Sequence, residues 1–154
     1  MPTQAATMFH RPGDAGRSSW GPGDRSNFLV TGEETGGAYS SMLAVVPPGG
    51  GPPPHVHRDE DETFHVLEGR PTFRLGHERV VAGPGDFVNV PRGGLHCFRN
   101  LTDDPVRMVL TFTPAGIERF FEETLERAWD LSADPPDNVA EVGRATPRQR
   151  PGTG

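Results

Sequence analysis

Hydrophobic and polar residues alternate in short runs between about residues 25 and 113, and glycine- or proline-rich turns separate the runs. Alternation with a period of two is typical of β-strands that bury one face. No helix-length segment separates consecutive runs, which disfavours a parallel β-α-β fold. The pattern predicts an all-β antiparallel sandwich or barrel with strands at 27–31, 39–46, 63–68, 72–75, 79–82, 87–90, 96–100 and 106–113.

A helical periodicity follows the last predicted strand. After Pro114, apolar residues recur at steps of three and four from Ile117 to Ala128, with glutamates on the opposite side. This spacing predicts one amphipathic helix near 115–129 that lies against the sheet or completes an interface.

The two ends of the chain differ from its middle because they are rich in glycine and proline and poor in apolar residues. Such composition is typical of segments that do not build a packed core. We therefore expect three regions along the chain. They are a flexible N-terminal arm at 1–24, a β-barrel with its C-terminal helix at 25–130, and a disordered tail at 131–154.

Composition and charge exclude several classes of function. The 154 residues suffice for one domain with a sizeable core. All 15 basic residues are arginine, and a chain without lysine has neither a phosphate-binding P-loop nor a Schiff-base lysine. The formal net charge of −6 and the lack of a basic patch argue against nucleic acid or an anionic membrane as a partner.

Cysteine usage and the N-terminal sequence bear on the compartment. Cys97 is the single cysteine, so the chain forms no internal disulfide. We find neither a signal-peptide pattern nor an apolar run of about 20 residues that would predict a membrane helix. These features predict a cytoplasmic protein, and the arginine-only, glycine- and proline-rich usage favours a bacterial source with a high GC content.

Three histidines and a glutamate are spaced to face one interior. His55 and His57 are two residues apart, so in an extended chain both imidazoles point to the same side. Glu62 lies on the predicted inward face of its strand, and His96 begins another alternating run. Three imidazoles and a carboxylate suit one divalent transition metal among Fe(II), Ni(II), Mn(II), Cu(II) and Zn(II), with Fe(II) or Ni(II) favoured. Four protein ligands leave up to two positions of an octahedron open for catalysis.

The same residues lie in two motifs that resemble the two signature motifs of the cupin superfamily. The first reads Gly49, five residues, His55-Val-His57, four residues, Glu62, six residues and Gly69. The second reads Gly85, five residues, Pro91, one residue, Gly93, two residues, His96, three residues and Asn100. The resemblance implies a small antiparallel jelly-roll barrel that holds a metal inside through His55, His57, Glu62 and His96.

Other polar residues are expected to lie outside this cluster. His65 is odd in register relative to Glu62 and so points out of the predicted barrel, whereas Asn100 is expected to be structural. The residues expected on solvated turns, in the arm or away from the interior are His10, Asp59, Glu60, Asp61, His77 and Cys97. A sugar phosphate would need inward-pointing arginines, for which the candidates are Arg74, Arg92 and Arg107.

The predicted interior is apolar and aromatic, which suits a planar phenolic or enolic small molecule. The Pro-rich segment before His55 also resembles small bacterial cupins of the quercetinase-like kind. This resemblance implies a metal-dependent dioxygenase in which Glu62 is both a metal ligand and the base that accepts the substrate hydroxyl proton.

Two other functions remain open because the cupin barrel serves many. One is a non-redox cyclase or isomerase that uses the metal as a Lewis acid, and the other is a non-catalytic module that binds a metal or a small metabolite. For any of them we expect a homodimer, because an isolated small barrel leaves its edge strands exposed.

Overall fold

The structure of the protein is a computed structural model, and it describes residues 5, 7–11, 18–21 and 24–117. The predicted helix near 115–129 lies largely outside these residues, and the predicted tail at 131–154 lies wholly outside them, so both stay predictions. Within the described part, no helix is long and apolar enough to cross a membrane.

All strand pairings in the described residues are antiparallel, and the chain contains a strand wherever the alternation predicted one. An additional strand lies within the segment assigned from the sequence to the flexible arm, so the sheet begins seven residues before the predicted boundary at residue 25. The strands are β1 (Ser18–Gly21), β2 (Asp24–Val30), β3 (Ser40–Val46), β4 (Asp61–Glu68), β5 (Thr72–Leu75), β6 (Glu78–Val81), β7 (Phe87–Val90), β8 (His96–Arg99) and β9 (Val106–Thr113).

Two sheets make up the barrel. The larger has the strand order β1-β2-β3-β9-β4-β7, and the smaller has the order β6-β5-β8. Sequence-distant strands therefore lie side by side, with β9 between β3 and β4, as expected of a jelly roll. This order brings the start of β4 and the start of β8 into one interior, although 34 residues separate Glu62 from His96.

Aromatic rings from both sheets meet in the core. The ring of Phe64 on β4 lies 5.1 Å from that of Phe73 on β5 and 5.7 Å from that of Phe98 on β8. All three are fully or almost fully buried, and burial of one such ring stabilises the fold by about 1.5–3 kcal/mol. The apolar interior predicted from the alternation is confirmed, and it surrounds the chemistry described below.

Asn100 fixes the turn that follows β8. Its side chain is completely buried, and its amide nitrogen donates to the carbonyl oxygens of Val46 (3.1 Å) and Asp104 (2.7 Å). Its amide oxygen accepts hydrogen bonds from the backbone nitrogen (3.0 Å) and the hydroxyl (2.7 Å) of Thr102. The structural role predicted for Asn100 is confirmed.

The glycine segment before the histidines packs directly against this turn. The backbone nitrogen of Gly49 donates to the carbonyl oxygen of Asn100, and the backbone nitrogen of Asn100 donates to the carbonyl oxygen of Gly50. Gly51 has a φ of 132°, and a Cβ atom there would lie 2.1 Å from the carbonyl oxygen of Phe98. Only glycine therefore allows the approach that leads the chain from β3 toward His55.

We expect Gly51→Ala to lower the free energy of unfolding by about 2 kcal/mol more than Gly37→Ala does. Both glycines have positive φ, but a Cβ at Gly37 would meet no atom within 4 Å, so the difference between the variants isolates the clash with Phe98. Urea unfolding measures both values. Equal destabilisation would contradict the close approach.

Homodimer formation stays a prediction. In the described part of the chain the larger sheet ends in β1 and β7, and apolar side chains of Leu67 and Phe87 are 47% and 62% exposed near the β7 edge. Pairing of two copies would cover such a surface. Sedimentation equilibrium at micromolar concentration is expected to give twice the monomer mass, and a monomer there would contradict the prediction.

Candidate metal centre

Three parts of the barrel contribute to the predicted metal cluster. His55 and His57 lie in the loop between β3 and β4, Glu62 is the second residue of β4, and His96 is the first residue of β8. The loop is not a regular strand, because prolines at 52–54 have no amide hydrogen with which to extend a ladder. It is held instead by one bridge in which His55 and His96 exchange backbone hydrogen bonds of 2.9 and 3.0 Å.

The four side chains have the dimensions of a site for one ion. One potential ligand atom from each of His55, His57, Glu62 and His96 lies within 4.8 Å of all the others. Two ligands on opposite sides of a single ion are about 4 Å apart when each bond is about 2.0–2.1 Å long. His57, Glu62 and His96 are buried, and His55 is half-buried.

Glu62 presents an ionised carboxylate to the histidines. Its Oε1 lies 2.8 Å from Nε2 of His96 and 3.3 Å from Nε2 of His57. Burial raises the pKa of Glu62, but the hydrogen bonds and charges of these two histidines outweigh it and lower the pKa to about 2. A negative charge therefore stands inside an apolar barrel at neutral pH.

Backbone carbonyl groups set the tautomers of two of the histidines. Nδ1 of His55 lies 2.8 Å from the carbonyl oxygen of Pro53, and Nδ1 of His96 lies 2.9 Å from that of Gly94. A carbonyl oxygen only accepts, so each Nδ1 carries the hydrogen and donates it. The Nε2 atoms are then the ones presented to the cluster, as in protein metal sites.

This arrangement requires a cation beside Glu62. If His96 were neutral, its Nε2 would face the carboxylate as one acceptor against another at 2.8 Å. Burial lowers the pKa of His96, but the Glu62 carboxylate outweighs it and raises the pKa above its ordinary value. The cation is thus either a proton on His96 or a metal ion between the two groups, and the donor set fits a metal.

His55 supplies a neutral nitrogen. Burial, together with the charges of His57 and His96, lowers the pKa of His55 to about 3. Neutral imidazole is the form that binds a metal. Three adjacent imidazoles compete to carry a proton beside one carboxylate. A divalent ion bound by all three would supply the positive charge in place of those protons.

Most of the residues that were predicted to lie outside the cluster do lie outside it. His65 and His77 are exposed, as predicted. Asp61 also lies outside the cluster, but it begins β4 and is half-buried rather than lying on the predicted turn. It accepts hydrogen bonds from the backbone nitrogen (3.0 Å) and Nε (3.3 Å) of Arg92. Burial raises the pKa of the half-buried Cys97 thiol, against the opposing charge of nearby arginines, so the thiol is protonated at neutral pH. That state agrees with a thiol that is not a nucleophile.

Two other predictions about polar residues were wrong. Glu60 was expected on a solvated turn but is only 4% exposed; it directly precedes β4 and shares the parity of the buried Glu62 and Phe64. His10 was expected to be exposed but is half-buried, and its Nε2 lies 2.9 Å from Oε2 of Glu34. The two partners are 24 residues apart, so no local pattern indicates the contact.

The arginines considered for phosphate binding lie on the outside of the barrel. Arg74, Arg92 and Arg107 are exposed, and two of them approach carboxylates there, Arg92 at Asp61 and Arg107 at Glu68. The groups around the cluster are aromatic instead. The ring of His57 lies 5.5 Å from that of Phe112, and the ring of His96 lies 5.9 Å from that of Phe64.

Residues 42–112 match the family model described as a cupin domain, and this range includes every residue of the cluster. This match covers 71 of the 154 residues and supports the predicted resemblance to the cupin superfamily. The chain is 27% identical over 142 residues to quercetin 2,3-dioxygenase of Bacillus subtilis (strain 168), an alignment that spans 92% of this chain and 41% of that protein. The chain thus spans less than half the length of that relative.

Solved structures show the same fold. An RmlC-like cupin from Shewanella frigidimarina superposes with a TM-score of 0.63 at 20% identity, over 75% of this chain and 98% of that one. A sugar phosphate isomerase of the cupin superfamily from Silicibacter pomeroyi superposes with a TM-score of 0.51 at 27% identity, over 59% of each chain.

Freshly purified protein is expected to contain one divalent metal ion per chain. His55→Ala, His57→Ala and His96→Ala should each lower the metal affinity by more than about 100-fold, because every ligand fixes the geometry of the others. Elemental analysis and competition with a chelating dye measure content and affinity. His65→Ala and His77→Ala are the matched controls, and a comparable loss from either would show that the ligands are misassigned.

Proposed function

We propose that this cupin is a metal-dependent enzyme, a quercetinase-like dioxygenase that acts on an enolic or aromatic small molecule. The observation that carries the proposal is the ionised carboxylate of Glu62 among three imidazoles inside an aromatic barrel. Similarity to quercetin 2,3-dioxygenase along 92% of the chain supports the same class of substrate.

The ligands in this proposal are His55, His57, Glu62 and His96, which would hold one divalent ion, with Fe(II) or Ni(II) favoured. When bound, such an ion would supply a Lewis acid for the ionised oxygen of the substrate and an open position for the reaction with O₂. The protein provides the rest of the chemistry through its own side chains.

Glu62 is the residue proposed to move the proton. Its carboxylate is ionised at neutral pH and carries no proton, so it could accept the hydroxyl proton of an enolic substrate whose acidity a bound metal would raise. Surrounding rings, among them Phe64 and Phe112, would exclude bulk water and present apolar faces to a planar substrate. An interior without water strengthens the interaction of the deprotonated substrate with the centre.

A second candidate is a non-redox isomerase or cyclase that binds a metal through the same four ligands. The likeness to the solved sugar phosphate isomerase favours it. The exposed positions of Arg74, Arg92 and Arg107 argue against a sugar phosphate as its substrate, because none of the three reaches the interior. A non-catalytic cupin that binds a metal or a small metabolite is the outcome if neither reaction occurs.

The proposed reaction is tested by oxygen consumption with flavonols and β-diketones. Separate samples are reconstituted with Fe(II), Ni(II), Mn(II), Co(II) and Cu(II), and we expect uptake of O₂ in at least one of them. Turnover of a substrate without O₂ would favour the isomerase or cyclase. If no sample consumes O₂ and no substrate is turned over, a non-catalytic cupin that binds a metal or a small metabolite is the function that remains.

Glu62→Gln is expected to retain part of the metal but to lower kcat by about 100-fold or more, because an amide coordinates weakly and accepts no proton. The matched control is Glu68→Gln, which changes an exposed carboxylate on the same strand that lies 3.9 Å from Arg107. Oxygen uptake at saturating substrate gives both rates. Full activity of Glu62→Gln would exclude the role of Glu62 as the base.

A further inference from the structure

One buried hydroxyl in the described residues has no partner. Ser40 is completely buried, and its Oγ is the single buried side-chain nitrogen or oxygen there that makes no hydrogen bond. Burying a hydroxyl without a hydrogen bond disfavours folding, so such groups are rare in native proteins. A molecule that entered the interior and met this hydroxyl would gain a hydrogen bond without breaking one within the chain.

Ser40 faces the same interior as the metal cluster. It begins β3, whose residues Met42 and Ala44 alternate into the core on the same side. Ser40 pairs with Phe112 on β9, and Phe112 pairs in turn with Glu62 on β4. The three side chains thus form one row across the sheet, and His57 packs against its middle member.

The next residue along the strand shows how this fold treats a structural hydroxyl. Ser41 points to the other face of β3, where its Oγ donates to the carbonyl oxygen of Leu110 at 3.1 Å and lies 3.0 Å from Oγ1 of Thr111. The hydroxyl of Ser41 is hydrogen-bonded within the sheet, whereas the hydroxyl of Ser40 is not. The two residues differ in the side of the strand they occupy, and only Ser40 lies in the interior.

We propose that Ser40 is a specificity-determining residue whose hydroxyl binds a second polar oxygen of the substrate. The inference rests on the proposed function, in which the acidic hydroxyl of the same molecule is bound at the metal centre. Two strand spacings separate β3 from β4, which is about 10 Å between their backbones. The substrate class is therefore a ring system with an enolic oxygen at one end and a further hydroxyl or carbonyl group at the other.

Unfolding of the variants Ser40→Ala and Ser41→Ala tests the state of each hydroxyl without any ligand. Ser40→Ala is expected to leave the Tm unchanged or to raise it, because it removes a polar group that has no partner. Ser41→Ala should lower the Tm, because it breaks two hydrogen bonds. A Tm for Ser40→Ala as low as that of Ser41→Ala would show that the Ser40 hydroxyl is satisfied within the fold, by water or by the chain, and would overturn the proposal.

Binding of two flavonols to the metal-loaded protein under argon tests the contact itself. Quercetin and 3-hydroxyflavone share the enolic oxygen and the adjacent carbonyl group, but 3-hydroxyflavone has no other hydroxyl. Ser40→Ala is expected to weaken quercetin binding about tenfold and to leave 3-hydroxyflavone binding unchanged. Ser41→Ala should change neither Kd.

The outcomes separate this inference from the proposed dioxygenase. Equal effects of Ser40→Ala on the two flavonols, or no effect on either, would overturn the contact even if the wild-type protein consumes O₂. A selective loss of quercetin binding would support the contact even in a protein that consumes none. If neither flavonol binds, both the substrate class and the contact are wrong.

Discussion

The negative charge of Glu62 inside an apolar barrel is the constraint on which the rest of the site depends. Transfer of an ionised carboxylate from water to such an interior is strongly unfavourable unless a cation and hydrogen bonds compensate for it. Here the compensation comes from the imidazoles of His96 at 2.8 Å and His57 at 3.3 Å. Their effect on the pKa of Glu62 exceeds that of burial, so this pKa falls to about 2. The buried carboxylate of Glu62 therefore requires a cation within the cluster.

The backbone, rather than a ligand, sets the positions of the groups that do this. His55 and His96 are joined by reciprocal backbone hydrogen bonds, and the segment before His55 is packed on the end of β8 through Gly51 and Asn100. Because proteins interact with metals most favourably through preorganised ligands, this scaffold lowers the conformational entropy that binding would cost. The apolar core contributes indirectly, since it makes the two sheets a rigid frame for the cluster.

Much of this was predictable from the sequence because the relevant signals are local. Period-two alternation indicates strands directly, and the spacing between His55 and His57 has meaning in any extended chain. Other features depend on pairings between distant residues, such as the contact of His10 with Glu34. Strand β1 has no clear alternation of its own and is held by pairing with β2. The isolation of the Ser40 hydroxyl is likewise a property of its neighbours in space, and no sequence pattern expresses it.

The hydrogen bonds that fix the histidine tautomers have a consequence for how the protein can change over evolutionary time. In both cases the acceptor lies two residues before the histidine it orients, Pro53 before His55 and Gly94 before His96. Each orientation is therefore encoded within a three-residue stretch and makes no demand on the barrel walls. The walls are free to acquire new side chains, and hence new substrates, while the imidazoles keep presenting the same atoms. Such separation of the ligand-holding segments from the lining is a physical basis for the diversity of reactions found on this fold.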